Sequence, residues 1–400
     1  MSMLWRELGH GEQIDFQIRH AEPMLGEDAR LSFHSQIWQG IEWRHDLILV
    51  KPSWSAGVEG AYLEITGDDV GQADVDYARD LAEISGVPVV VLFSIPNQPL
   101  WEMREDDLIA HTFEKFIESG DQSWPLLVPM VRAANRGLEI ARSEFGIDKF
   151  VAGGGSKRGW TSWLLAASRP DGLQGIVPIV FDNLGMAQQV HRQIDLWGTP
   201  SEQIEDYTRR QLHELAINEE GKELVQIVDP LIHIADSEVP ALIINGANDP
   251  YWAVDALTHY YRDLPGQSSQ VVVPNLPHAL GERNFWGPGF ARFVQAMLSD
   301  QEFSVPNFHS FYQTAQSESL TLEWSCHYDA CATHIWAAES DDLLFTESQW
   351  QKQESCPGGH RGEVVFDQAD KNRAYLLEVE FKDDDGFWRL TSPAFIIKKR

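Results

Sequence analysis

Cysteine is scarce in this chain. Cys326, Cys331 and Cys356 all fall in the last quarter of 400 residues, and an odd number without repeating spacing is not a disulfide framework. Cys326 and Cys331 flank His327, but no second ligand pair stands at zinc-like spacing, so buried or free thiols are expected. Basic residues are also few: 31 Lys and Arg stand against 61 Asp and Glu, a net charge of −30. That balance excludes a nucleic-acid phosphate binder and adsorption to anionic membranes. No run of about eighteen apolar residues occurs, so no transmembrane helix and no membrane insertion are expected. Met1–His10 lacks a basic segment leading into an apolar stretch. No secretory signal is visible as written, which predicts a cytoplasmic protein, or a periplasmic or secreted one if the N-terminus is incomplete. Tandem repeats and low-complexity tracts are absent as well.

Core-forming residues are plentiful. Hydrophobic residues make up 43% of the chain and tryptophans number 15, which excludes disorder. The length suits a large domain followed by a small one. Apolar residues alternate over 31–50 with Gly40 between the halves, which predicts antiparallel strands and a tight turn. Tyr62–Ile65 reads as a short strand, and Val75, Ala78, Leu81 and Ala82 mark a helix ended by Gly86. Val87–Phe93, Lys149–Ala152, Ile176–Phe181, Val239–Asn245 and Gln270–Pro274 are short core runs, suited to strands covered on both faces of a parallel sheet. Helical spacing recurs between them. One such pattern is Leu127, Met130, Ala134, Leu138 and Ala141, with Pro129 starting or bending the helix. Others are Trp160, Trp163 and Leu164; Val254, Leu257, Tyr261 and Leu264; and Phe290, Phe293, Val294, Met297 and Leu298. The alternation predicts an α/β class, a doubly wound sheet over residues 1–302 entered through antiparallel strands. Residues 187–235 carry helix-like, polar and aromatic sequence with no strand run, which reads as a helical cap insertion. After Phe303, the short runs Leu320–Trp324, Thr333–Ala337, Glu363–Phe366, Ala374–Phe381 and Pro393–Ile397 predict an all-β sandwich over 303–400.

The candidate chemistry centres on Phe150–Trp160, a strand running into a glycine-rich turn with Ser156 at its apex and a helix behind. A serine on so sharp a turn is lifted clear of the backbone, which is the physical content of the nucleophile elbow. Gly154-Gly155-Ser156 fits the first half of G-x-S-x-G, but Arg158 occupies the last glycine position and Gly159 follows it. Asp249 and His278 also follow directly on core strands. In an open parallel sheet, residues at the carboxyl ends of strands converge on a ligand crevice. The order Ser, Asp, His is that of α/β-hydrolases. The imidazole would accept the hydroxyl proton, and the carboxylate would orient it. Asp182 also ends a strand and is the rival acid. The oxyanion requires N–H donors. One is expected from Lys157, directly after the nucleophile, and another from the loop after Val87–Phe93, where Asn97 or Gln98 is the candidate because Pro96 and Pro99 have no N–H. Lys157 and Arg158 either hold a substrate carboxylate or form salt bridges into the acidic surface. Trp197 and Trp252 either line a pocket or belong to the core.

Gly155–Trp160, read with Ser35–Trp38, Pro96–Leu100, Trp124-Pro125, Pro129-Met130, Val228–Pro230, Asn245–Pro250 and Pro274–His278, resembles the PhoPQ-activated pathogenicity-related family. The serine motif and the Pro-Asn-Gln-Pro-Leu loop are its most specific parts. The resemblance implies an α/β-hydrolase-like fold with a β-rich C-terminal region, Ser156 as nucleophile, Asp249 as acid and His278 as base. It implies little about the substrate. Gly154-Gly155 stands where Gly-Ala is common in that family, which loosens the turn.

The expectation is therefore a serine hydrolase of ester or amide bonds that works through an acyl-enzyme. It would need no metal or organic cofactor and act on a small-molecule or peptide substrate. Two rivals stand beside it. One is a non-catalytic hydrolase-fold protein that binds a ligand; the other is a carbohydrate-directed protein that uses the C-terminal β-domain.

Overall fold

The fold is described by a computed structural model for residues 3–10, 17–234, 237–281, 283–299, 301–303, 305–312, 319–325, 332–357, 361–367, 369–383 and 386–399. Cys326, His327 and Cys331, and the side chain of Cys356, lie outside the described residues.

Nine strands form one sheet: β1 (Arg19–Ala21), β2 (Ala29–Trp38), β3 (Ile41–Val50), β4 (Ala61–Ile65), β5 (Val89–Leu92), β6 (Phe150–Gly155), β7 (Leu173–Ile179), β8 (Leu242–Gly246) and β9 (Ser269–Val273). Their spatial order is β1-β2-β3-β5-β4-β6-β7-β8-β9. The hairpin β2–β3 turns at Gln39 and Gly40, both at positive φ (50° and 74°), the two-residue turn whose twist suits antiparallel strands. β3 pairs antiparallel with β5, and from β5 to β9 every neighbour is parallel. The apolar runs that fill β5 to β9 are buried because helices cover both faces.

The helices of the first half are α1 (Met3–His10), α2 (Gln72–Ser85), α3 (Glu105–Ser119), α4 (Leu127–Phe145) and α5 (Lys157–Ser168). Between β7 and β8 the chain runs through α6 (Met186–Trp197), α7 (Glu205–Thr208), α8 (Leu212–Leu215), α9 (Lys222–Val228) and α10 (Leu231–Ile234), with no strand among them. This is the helical insertion expected over 187–235. A last helix, α11 (Gly287–Ser299), follows β9. Side chains of α1, α4 and α5 share one apolar cluster, and those of α2 and α11 share another on the opposite face. Pro129 sits in the first turn of α4, where its missing N–H costs nothing.

Two local readings need correction. The helix expected from Val254, Leu257, Tyr261 and Leu264 is instead a pair of 3-10 turns, Ala256–His259 and Tyr261–Asp263. Arg192 of α6 takes the Asp255 carboxylate and Thr258 bonds back to the Asp255 carbonyl, so tertiary contacts and the adjoining Pro265 override the spacing. Helix α3 was not expected at all. Its buried Leu108, Ile109, Phe113 and Phe116, and its acidic first turn of Glu105, Asp106 and Asp107, are the signals that mark it.

The C-terminal chain forms a separate antiparallel β-domain. Strands β10 (Asn307–Tyr312), β11 (Ser319–Ser325), β12 (Ala332–Ser340), β13 (Gln351–Pro357), β14 (Arg361–Asp367), β15 (Asn372–Asp383), β16 (Gly386–Thr391) and β17 (Phe395–Ile397) make two sheets. The first has the order β10-β11-β14; the second has β13-β12-β15-β16, with β17 also on β15. The boundary expected at 302/303 falls between α11 and β10. This domain docks on β9 through Thr391, whose Oγ1 accepts the Val272 N–H at 2.8 Å and whose carbonyl accepts Gln270 Nε2 at 2.7 Å. Phe303 sets its ring between Phe293 and Trp388 at 5.3 and 5.6 Å.

The strand that carries the serine has unequal need of its glycines. A Cβ at Gly153 would stand 2.3 Å from Tyr62 Oη and 2.4 Å from the Val177 carbonyl, whereas one at Gly155 meets nothing within 4 Å. Gly153→Ala is therefore expected to cost roughly 1–3 kcal/mol. Gly155→Ala should be neutral or stabilise by up to about 1 kcal/mol. Urea denaturation of both variants tests the contrast.

Candidate active site

Ser156 stands between β6 and α5 with φ 55° and ψ −121°, a backbone that L residues adopt only under strain. Its N–H is tied to the Ile179 carbonyl at 2.7 Å, and its carbonyl accepts the Trp160 N–H at 3.0 Å. Close packing accounts for the neighbouring glycines. A Cβ at Gly154 would lie 2.6 Å from the Ile65 carbonyl, and one at Gly159 would lie 3.1 Å from the carbonyls of Gly154 and Ile179. The close approach thus falls on Gly159, which leaves position 158 open to a long side chain.

Asp249 and His278 are brought together. His278 Nδ1 lies 2.7 Å from Asp249 Oδ2, and Asp249 Oδ1 accepts the Tyr251 N–H at 2.9 Å. Nδ1–H donating to the carboxylate leaves Nε2 as the acceptor. The Tyr251 ring stacks on the imidazole with centroids 4.2 Å apart. The two loops can meet because β8 ends in glycine: a Cβ on Gly246 would stand 2.4 Å from the Leu276 carbonyl and 2.5 Å from that of Pro277. The Asn248 N–H then donates to the Leu276 carbonyl at 3.0 Å.

Ser156, Lys157, Tyr251 and Trp252 line a cavity of about 100 Å³ beneath the helical insertion, and Phe113, Trp160, Phe181, Met186 and Val190 add apolar wall. Trp252 is thus both core and pocket wall. Trp197 is not part of this wall; its Nε1 donates to the Leu343 carbonyl at 3.3 Å. The Ser156 hydroxyl makes no hydrogen bond to a described residue, His278 included.

Residues 8–343 match the family model for the PhoPQ-activated pathogenicity-related protein. The chain belongs to that family. It is also 31% identical over 233 residues to autocrine proliferation repressor protein A of Dictyostelium discoideum, covering 54% of this chain and 47% of that protein. The chain thus spans about half the length of this curated relative. Among solved structures it is similar to an acetyl xylan esterase from Paenibacillus sp. R4, with TM-score 0.54, 12% identity, and 74% of this chain and 93% of that chain covered. Acetyl xylan esterase 1 from Thermoanaerobacterium sp. JW/SL YS485 is similar as well, with TM-score 0.51, 16% identity, and 72% and 89% covered. At such identities the likeness shows the α/β-hydrolase fold.

The PhoPQ-related stretches divide by role. Several fasten the scaffold. Ser35 Oγ meets His45 Nε2 at 2.9 Å, Gln36 Nε2 donates to the Pro129 carbonyl at 2.7 Å, and Trp38 Nε1 donates to that of Ser123 at 2.7 Å. Asp229 caps the insertion, accepting the N–H groups of Gly185 and Met186 at 3.0 and 2.8 Å. Gln98 and Asn97 also serve the scaffold with their side chains: Gln98 Oε1 accepts the Glu105 N–H at 2.8 Å, its Nε2 meets Glu105 and the Gly67 carbonyl, and Asn97 Oδ1 accepts the Arg44 N–H at 3.2 Å.

Lys157 and Arg158 form internal ion pairs. Arg158 grips Glu105 with two bonds of 2.7 Å and gives Nε–H to the Ile95 carbonyl at 2.6 Å. Lys157 Nζ lies 2.9 Å from Glu105 and 3.0 Å from Asp106. Burial opposes ionisation of Glu105, but the Arg158 bonds and the charges of Arg158 and Lys157 outweigh it and hold the carboxyl well below its usual range. These pairs follow the salt-bridge alternative, with partners on helix α3, which was not expected.

β4, not β5, lies beside β6. The segment after β4 therefore borders the serine turn, with the Gly67 Cα pressed against the Arg158 guanidinium so closely that a Cβ would overlap it. The short strand Tyr62–Ile65 followed by Gly67 was the available signal.

Asp182, the rival acid, accepts the Tyr260 hydroxyl at 2.7 Å. Its carboxyl is pushed up to about 7, by burial first, with a smaller push from Asp249 and Asp255 and an opposing bond from Tyr260. Among the described residues one group, His334, Glu378 and Glu380 in the β-domain, has ligand atoms within 4.8 Å of one another. Lys352 and Arg389 already stand 3.5 and 3.7 Å from Glu378, which makes the cluster a cross-strand charge group. No helix among the described residues is long and apolar enough to cross a membrane.

A carboxyl raised in the folded state adds stability below its unfolded value, lost as pH rises through the folded one. Asp182 therefore costs the fold most above pH about 7 and nothing near pH 4. Asp182→Asn, whose amide oxygen still accepts from Tyr260, should raise Tm at pH 8 by several degrees and leave it unchanged near pH 4. Thermal unfolding at the two pH values measures it.

Proposed function

We propose that the chain is a serine hydrolase that cleaves an ester or amide bond through an acyl-enzyme. The observation that carries this reading is the 2.7 Å bond from His278 Nδ1 to Asp249 Oδ2, with the ring's other nitrogen left to accept a proton. Ser156, on its strained turn, lines the cavity whose wall includes Tyr251, the residue stacked on that imidazole.

Ser156 Oγ attacks the substrate carbonyl carbon while His278 Nε2 takes the hydroxyl proton. Asp249 orients the ring and stabilises its positive charge without itself accepting a proton. His278 then protonates the leaving group as the carbonyl re-forms. A water, deprotonated by the same nitrogen, hydrolyses the acyl-enzyme. The Lys157 N–H at the start of α5 is a free helix-terminal donor for the oxyanion, and a backbone N–H of the segment after β4 is the second. Each such donor contributes roughly 3–4 kcal/mol in enzymes of this kind. The gap between Ser156 and His278 closes on substrate binding, as catalytic hydrogen bonds do.

A cavity of about 100 Å³ admits a compact apolar group, since a benzene fills one of about 150 Å³. A short acyl group suits that space. The word acetyl in the names of the two structural relatives agrees with that size.

A fluorophosphonate probe should label the wild type at Ser156 and leave Ser156→Ala unlabelled. Asp249→Asn should lower kcat by about 10⁴. Hydrolysis of p-nitrophenyl acetate or butyrate should exceed that of the decanoate. A folded wild type that takes no probe would instead support the reading of a hydrolase-fold binding protein.

A further inference from the structure

The segment of the β-domain between β12 and β13 reaches back to both loops that carry the proposed acid and base. Asn248, one residue before Asp249, sets its Nδ2 at 3.1, 3.0 and 2.7 Å from the carbonyls of Phe345, Thr346 and Ser348. Asn275, three residues before His278, accepts the Trp350 N–H at 2.7 Å and Gln349 Nε2 at 3.2 Å, and donates to the Trp350 carbonyl at 2.9 Å. The insertion touches the same segment through Trp197 and the Leu343 carbonyl.

The segment is built to be stiff. Phe345 and Trp350 are 1% and 2% exposed. Ser348 bonds to the Phe345 carbonyl through its N–H at 3.0 Å and to that of Glu339 through its hydroxyl at 2.8 Å. None of its residues lines the cavity beside Ser156, so it reaches the chemistry only through the two loops and through Trp197 of the insertion. Nor does it alone join the domains, because Thr391, Phe303 and Trp388 make a separate contact on β9 and α11.

We propose that residues 343–350 clasp the acid loop to the base loop, with Asn248 and Asn275 as positioning residues that keep Asp249 and His278 in register. The inference rests on the hydrolase reading above. Asn248 is its node: the backbone N–H binds the base loop at Leu276, the side chain binds the β-domain, and the next residue is the acid.

The test uses the full chain. Asn275 has φ 63°, so Asn275→Gly keeps that backbone accessible while deleting the side-chain bonds. Asn248→Ala and Asn275→Gly should each slow fluorophosphonate labelling and kcat on p-nitrophenyl acetate on the order of a hundred-fold with KM unchanged, the scale of a small misplacement of reacting groups. Asn275→Asp, which keeps an acceptor for the Trp350 N–H, should recover part of the rate. Thr391→Val, which removes a domain contact remote from both loops, should lower Tm without slowing labelling. If Asn248→Ala and Asn275→Gly label at the wild-type rate, or if Thr391→Val slows labelling as much as they do, the clasp is overturned while the hydrolase reading stands. A wild type that takes no probe overturns both.

Discussion

A carboxylate that is 6% exposed is costly unless its oxygens are satisfied, and Asp249 is satisfied by two loops at once. One oxygen holds the backbone of Tyr251 and the other holds the imidazole of His278. The bond to His278 requires the end of β8 to lie directly on the loop after β9, and Gly246 permits it by leaving its Cβ position to the carbonyls of Leu276 and Pro277. The neighbouring Asp182 would add a second negative charge. Burial raises its carboxyl toward neutrality, so near neutral pH part of that charge is removed and less repulsion reaches the pair.

The serine turn has a different problem. Its backbone conformation costs roughly 1–3 kcal/mol and must be over-determined by its surroundings. Strand β7 supplies one side, through its Ile179 carbonyl, which accepts the Ser156 N–H. The first turn of α5 supplies the other, where Lys157 and Arg158 are tied to Glu105 and Asp106 at the start of α3. Basic residues in so acidic a chain therefore act as struts: they consume charge inside the protein and leave the turn rigid.

The acid loop is gripped from two sides. On the side of the helical insertion, Gln193 donates to the Tyr251 carbonyl at 3.0 Å and Ser201 to that of Pro250 at 2.7 Å. On the side of the β-domain, Asn248 holds residues 345–348. Parts of the chain that lie outside the main sheet thus meet at one short loop.

The strand runs and the points where they end were legible in the residues themselves, because apolar β-branched runs and the glycines after them are local signals. That is why Ser156, Asp249 and His278 could be named as strand-end residues, and why a C-terminal β-domain and a helical stretch ahead of β8 could be expected. The neighbour of the serine strand was not legible. β4 slots between β5 and β6, a pairing set by packing across the sheet. The partners of Lys157 and Arg158, the loss of a helix at 256–263 and the choice of Asp249 over Asp182 beside the imidazole were likewise decided by contacts between residues far apart in the chain. Local sequence determined which residues stand at the mouth of the sheet. Tertiary structure decided which of them touch, because hydrogen bonds and close approaches depend on distances that no spacing along the chain encodes.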